Sequence, residues 1–411
     1  MSAIPARRLG CYLGVLAACY FAVFVAYPRL FVFAGVNHYG VLFLDLYAVL
    51  ASSDAAALGL DPYAANPLDY FHRPHIYSPW WLHLHDLGLT RADDFRLGLG
   101  LVVLFLFLAV RRLRPASAGE LGWQLVILCA SPVLLAVNRA NNDLVIFVLL
   151  APVVPCLLSP RRVVRFAAIG LVALAAGLKF YPAVAALVLV AGAEPREARR
   201  RVIAAVLALA FVALTATVDL GRVSTLLPKA EGVMTFGAEN LFESLGLAVK
   251  SAQRASVALG LALAGAFVVM KPFAGWKIAE ADRDAWWSFV LAAALLTGCF
   301  FSGTNYAYRW VFALWLAPLL WRLPRDAAAP VAVRRLALIT AVLLPLMLWG
   351  DPLACAIILL FKAGLPVAVL AHRADVFFAA EQPLVWAFFG CLLGFLVHFL
   401  TDALRNLVDR R

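Results

Sequence analysis

The chain has 411 residues, 64% of them hydrophobic and only 14% charged, with a formal net charge of +11 and a mean hydropathy of +0.89. Apolar stretches of membrane-spanning length recur from end to end, which excludes a soluble domain with alternating apolar and charged faces, and the short alternating strands of a transmembrane barrel are not visible. Arg and Lys cluster at the ends of apolar segments rather than along one face, so the excess positive charge reads as topology and not as nucleic-acid binding. The seven cysteines all lie in apolar segments without CxxC or Cys/His ligand spacing, which indicates neither a disulfide framework nor a zinc site.

From the N-terminus, the run from Leu9 to about Phe33 is too long for the apolar core of a cleaved signal and reads as a retained first span. Arg7 and Arg8 before it place the N-terminus in the cytoplasm and deliver residue 35 onward to the other side. A first extracytoplasmic loop then covers 35–94. Within it the Pro-free, Ala- and Leu-rich stretch 42–60 predicts a helix that ends at Gly59 before Asp61 and Pro62. This helix is expected to lie along the interface, with Asp45 reaching into the protein.

A span from about Phe95 to Val110 returns to the basic cluster Arg111 to Arg114, and another from about Gly119 to Val137 leads to NRANND at 138–143. The apolar region 166–193 has basic flanks at both ends and is too long for one upright span. It predicts two short helices broken at GLKFYP, with Lys179 at the break and backbone there lining protein or a watery cavity. After a span near 202–218 comes a second extracytoplasmic loop, 219–253, then spans near 254–270 and 285–301 with KPFAGWK between them. The segment from Leu353 to Ala371 contains Lys362 and Pro366 and reads as one span or a broken pair. The expectation is an all-α polytopic integral membrane protein of 11 to 13 transmembrane helices, with interfacial helices in the first extracytoplasmic loop and a single domain over 1–411.

Apart from the basic loops, the unusual polar clusters fall on the extracytoplasmic side. They are Asp45, the HRPH loop, Arg139 with Asp143, Lys179, and Asn305 to Arg309. Ionisable groups at membrane depth are expensive and usually face an internal cavity, so a carboxylate gathered with several cations suggests a site for an anionic substrate. Asp45 could serve as general base toward a hydroxyl, or be a solvated or Arg-paired surface carboxylate. Arg139 and Asp143 stand four apart, which suits an internal salt bridge on one helical face as well as substrate contact. Asn142 suits a helix cap.

The pattern D45-L-Y47, then A-L-G59-L-D-P62-Y63, then Y77-S-P79 resembles the first extracytoplasmic loop of family 87 glycosyltransferases, which are similar to polyprenol-phosphate-dependent mannosyltransferases of the GT-C fold. NRANND and LKFYP resemble further motifs of that group in matching order, with a weaker echo in TNYAYRW at 304–310. Ser78 departs from the second Pro that the family more often has. The resemblance implies a GT-C-like fold with Asp45 as catalytic base and a sugar donor carried on a lipid phosphate. That donor needs no nucleotide site, in keeping with the lack of a P-loop.

The reaction expected from this likeness is an inverting transfer of a sugar from polyprenyl phosphate to an extracytoplasmic glycolipid or glycan. Mannose is the family-weighted sugar, with arabinose or another open. The setting is a bacterial-type cytoplasmic (inner) membrane with the active site on its outer side. Lys179, Arg309 and Arg139 are the candidates for the donor phosphate. His72, Arg73, His75, Tyr77, Asn142, Asp143, Tyr181, Asn305 and Tyr308 are candidates for the acceptor or the sugar. Trp80 and Trp81 suit sugar stacking or an interfacial aromatic belt. Because the phosphate leaves as a stable anion no cofactor is required and no metal-binding residues are assigned, while Asp54, Asp61 and Asp69 on the same side leave a divalent ion open. The partners expected are membrane lipids, the donor and the acceptor, and no nucleic acid. Two other readings share the gathered cations or the donor chemistry, namely a transporter or flippase of lipid-linked or anionic solutes and a polymer ligase.

Overall fold

Ala, Leu, Val and Phe in long runs favour helix wherever a membrane or a packed neighbour removes water. The structure, a computed structural model, describes residues 5–36, 38–190, 193–226, 230, 234–360 and 367–408. In chain order its helices are α1 (Ala6–Ala26), α2 (Leu30–Phe33), α3 (Leu44–Ala57), α4 (Asp94–Leu113), α5 (Ala118–Leu128), α6 (Ser131–Arg139), α7 (Asn142–Leu150), α8 (Val153–Leu157) and α9 (Arg162–Leu178). They continue as α10 (Pro195–Ala216), α11 (Leu220–Leu226), α12 (Glu239–Ser244), α13 (Val249–Met270), α14 (Arg283–Phe301), α15 (Ala317–Arg322), α16 (Val331–Leu360) and α17 (Val367–Val408). The strands among the described residues are the two-residue β1 (Thr235–Phe236) and β2 (Asn305–Tyr306), so the class is all-α.

Among the described residues five helices are long and apolar enough to cross a membrane, or up to seven if the bent pairs Ala118–Leu128 with Ser131–Arg139 and Pro195–Ala216 with Leu220–Leu226 each count as one span. These helices suggest a multi-pass membrane protein. The predicted break at GLKFYP is present: α9 stops at Leu178, and Tyr181–Val190 continues as a 3-10 helix. The span expected between Leu353 and Ala371 lies partly outside the described residues.

The chain divides into two compact units. One comprises His38–Leu108 and Ala136–Lys229. Here α3 packs against the 3-10 turn Pro79–His83, and α9 against α8, α10 and the 3-10 helix Tyr181–Val190. Trp80 and Trp81 serve as packing residues at this junction. The indole Nε1 of Trp81 donates to the Leu178 carbonyl at 2.9 Å, and Trp80 packs against the buried cluster of Ala176, Val212 and Ala216.

A Cβ added to Gly177 would overlap the Trp80 ring. Gly177→Ala is therefore expected to destabilise the protein by about 1–3 kcal/mol, read as a lower melting temperature in detergent than that of Gly170→Ala, where a Cβ meets open space.

The other unit comprises Met1–Asn37, Ala109–Leu135 and Ala230–Arg411. In it α17 packs along α13, α14 and α16. β1 and β2 pair antiparallel, with Thr235 opposite Tyr306 and Phe236 opposite Asn305. Phe236 stacks on Phe389 with ring centroids 5.8 Å apart, and the Trp386 indole donates to the Ala238 carbonyl, so the ladder is anchored on α17.

Candidate active site

Asp45 opens α3, and only 6% of the residue is exposed. The helix runs Leu44–Ala57 inside the predicted 42–60, and Gly59 follows its end with a φ of +74°. A carboxylate in the first turn meets the positive end of the helix dipole. Phe43, just before it, takes a left-handed conformation with φ +60°, and its N–H donates to the Asn138 carbonyl at 2.7 Å. That bond ties the start of α3 to the end of α6.

One side-chain amide and two guanidinium groups converge on the Asp45 carboxylate. Its Oδ2 accepts from the Asn141 side-chain amide at 2.6 Å. Its Oδ1 lies 3.5 Å from Arg73 Nη1 and 3.7 Å from Arg139 Nη1. Arg73 is itself fastened by Asp69, with Nε to Oδ2 at 3.0 Å and Nη2 to Oδ1 at 2.8 Å, and it also donates to the Leu44 carbonyl at 2.9 Å. Arg139 lies over the Tyr39 ring, 5.6 Å from its centroid.

Burial works to raise the Asp69 pKa, but the Arg73 side chain and the backbone N–H groups of Arg73 and Phe71 overcome it and hold Asp69 below the usual carboxylate range. Burial also works against the Arg73 charge. The bonds and charge of Asp69, helped by the charge of Asp45, outweigh it and leave the guanidinium pKa raised.

The Arg139–Asp143 salt bridge, one of the two readings that the spacing allowed, does not form. Ala140 has a φ of +39°, which ends α6 and turns the chain before α7 begins. Arg139 is left facing Asp45, while Asp143 receives Lys179 Nζ at 2.6 Å and the Tyr181 hydroxyl at 2.7 Å. Asn142 is not the cap; Asn141 is, accepting from the Asp143 N–H at 2.9 Å. Asn142 is fully buried, and both polar atoms of its side chain lack a hydrogen-bond partner among the described residues.

Asn141 therefore joins two charged groups, since its amide N–H bonds Asp45 and its carbonyl oxygen accepts from the Asp143 backbone. Lys179 sits at the break after α9 and also lies 5.8 Å from the ring centroids of Tyr77 and Tyr181. The result is a continuous polar network, from Asp69 through Arg73, Asp45 and Asn141 to Asp143, Lys179, Tyr181 and Tyr77. Sequence reasoning missed Asn141, and it raised Asp69 only for a divalent ion and not as the partner that fastens Arg73. The four-residue spacing of Asp69 and Arg73 in DYFHR was the available signal for Asp69, while nothing in NRANND distinguishes Asn141 from Asn142.

His72 is exposed, with φ +53°, and its Nδ1 lies 3.3 Å from the Asn66 carbonyl oxygen. His75 is buried, its Nε2 is 3.1 Å from the Ser78 carbonyl oxygen, and its ring meets Tyr63 and Tyr77 edge-on. The Ser78 side chain accepts the Trp80 N–H at the start of the 3-10 turn.

Burial pushes the His75 pKa down to about 4. A histidine depressed below its unfolded value near 6.5 stays neutral in the fold while the unfolded chain takes up a proton, so stability falls as pH drops from about 6.5 to about 4. This group should account for about 3 kcal/mol across that window. His75→Phe is expected to flatten the decline in melting temperature between pH 7 and pH 5.

The other aspartates raised for a metal are engaged separately. Asp54 takes His85 Nδ1 at 2.8 Å and the Arg91 N–H at 3.2 Å, and Asp61 takes Arg222 Nη2 at 2.5 Å. Among the described residues no group of three or more His, Cys, Asp or Glu is placed to hold a metal ion.

Asn305, Tyr308 and Arg309 belong to the other unit. There Asn305 lies in β2, its amide donates to the Cys299 carbonyl at 2.6 Å, and Arg309 donates to the Asn305 side-chain oxygen. The rings of Tyr306 and Tyr308 are 5.7 Å apart. Comparison with family models, curated proteins and solved structures gave no match. The site is therefore read from its own geometry.

Proposed function

We propose that the protein is a GT-C-like membrane glycosyltransferase with 11 to 13 spans, moving a sugar from a polyprenyl phosphate to an acceptor hydroxyl on the outer side of a bacterial-type cytoplasmic membrane. Mannose is the leading sugar, with arabinose or another open, and a glycolipid or glycan is the acceptor. The observation that carries this reading is a buried aspartate at a helix start, held between two guanidinium groups and one amide. Such an arrangement suits a base that must be fixed in position and a substrate that brings negative charge.

In the proposed step Asp45 takes the proton of the acceptor hydroxyl as its oxygen attacks the anomeric carbon. The bond from that carbon to the phosphate oxygen breaks, and the lipid phosphate leaves with the electron pair. A single displacement inverts the sugar. Arg139 and Lys179 would stabilise the leaving phosphate. A lysine ammonium carries three donors, so a bond to Asp143 and one to a phosphate oxygen are compatible. Tyr77, Tyr181, Arg73 and the buried amide of Asn142 are the nearest candidates to orient sugar or acceptor hydroxyls.

The test is transfer of radiolabel from polyprenyl-phosphate sugars to a lipid extract by purified protein. Label should appear in a new glycolipid or glycan. Solute counter-flow in proteoliposomes without covalent transfer would overturn the proposal in favour of a transporter.

A further inference from the structure

The end of the second-described unit where α13 and α17 both finish holds a cavity of about 330 Å³. Ligand pockets begin at about 300 Å³. Lys271, Lys277 and Arg405 line it, with Asp402 as its carboxylate and the His398 ring in its wall. His398 stacks on Phe273 with centroids 4.7 Å apart and lies 5.4 Å from Trp276, so an aromatic base fixes the loop from Lys271 to Lys277. Lys271 turns that loop away from α13 through a left-handed φ of +46°. On the apolar side Phe267 packs under Gly394, where a Cβ would overlap its ring, so the two helices approach closely beneath the cavity.

The cations at this end differ in how they are used. Arg112 holds Asp284 at 2.8 Å, and Arg322 lies 3.3 Å from Asp282 and 3.4 Å from Glu120. Lys271, Lys277 and Arg405 make no ion pair or side-chain hydrogen bond with any described residue. Three cations around one cavity, against a single carboxylate, leave positive charge for an anionic ligand. Both helices that meet here have span-length apolar segments, Val249–Met270 and Phe377–Ala403. Val268, Val269 and Met270 beside the cavity are 49%, 79% and 65% exposed, which suits acyl chains rather than water.

We propose that this cavity binds the phosphate of an anionic glycerophospholipid, with Lys271, Lys277 and Arg405 on the headgroup and the exposed apolar end of α13 beside its acyl chains. The basic ends of these helices face the cytoplasm by the positive-inside rule, so the lipid comes from the inner leaflet. This site is independent of the transfer reaction proposed above.

The full-length protein in detergent is titrated with dioleoyl phosphatidylglycerol, and bound lipid is counted by native mass spectrometry. Phosphatidylglycerol is expected to be retained over phosphatidylcholine. Lys271→Gln and Lys277→Gln should each weaken it about fivefold, and the triple change with Arg405→Gln on the order of a hundredfold. Removing three exposed charges elsewhere, Arg196→Gln, Arg199→Gln and Arg200→Gln, should leave binding unchanged. Equal loss in both triple variants, or equal retention of the two lipids, would overturn the proposal. Displacement of the lipid by equimolar glycerol 3-phosphate would overturn its lipid source and assign the cavity to a soluble phosphate.

Discussion

With Asp45 as the base of the proposed transfer, Asp45→Asn should lower the initial rate of sugar transfer by about 10²–10⁴-fold, the usual contribution of a positioned general base. Asparagine matches aspartate in shape and can still meet Asn141, but it cannot accept the acceptor's proton. Arg73 keeps its two bonds to Asp69 in the variant, so the loop that carries it remains fastened. Donor binding should therefore survive while turnover falls, a loss in kcat rather than in KM. Initial rates over a range of donor concentrations separate the two. Equal transfer by wild type and variant would reject Asp45 as the base, even if the protein proved to be a transferase.

Breaking the Lys179–Asp143 pair should cost about 3–5 kcal/mol of stability, because Asp143 is fully buried and either partner alone would leave a charge without its counter-ion. A lysine that served only as a ligand of the donor phosphate would lose donor affinity on change to Met with the fold intact. The 2.6 Å contact changes that expectation. Lys179→Met and Asp143→Leu should each lower thermal stability in detergent, and the double variant should regain much of the loss. A cycle of the two single variants and the double, melted side by side, measures the coupling. Additive losses would show that the pair does not act as one unit. Donor affinity in the double variant then tests the proposed role of Lys179 at the phosphate, free of the folding defect.

The parts of this site that were legible in sequence are local. Pro-free Ala and Leu followed by Gly59 and Pro62 marked the helix that bears Asp45, and Pro182 marked the break beside Lys179. What was not legible depends on backbone handedness and on distant partners. Helical spacing pointed Arg139 at Asp143, and the left-handed turn at Ala140 sends the two apart. Lys179 and Asp143 meet across 36 residues, and Arg73 reaches Asp45 across 28. Pairings of that length leave no periodic trace in the chain. The pairing of β1 with β2 is of the same kind, joining two stretches that carried no strand pattern.

Phe43 and Ala140, two side-chain-bearing residues in left-handed conformations, are linked through one backbone hydrogen bond, from the Phe43 N–H to the carbonyl of Asn138, which stands two residues before Ala140. One precedes Asp45 by two residues and the other precedes Asn141 by one. The position of the carboxylate and its amide is thus templated by main chain that few sequences would adopt by default. For an engineer this means that the jig and the tool are separable. Glycine at 43 or 140 would remove the steric penalty yet let the chain wander. New side chains at 45 and 141 would inherit a mount already in place.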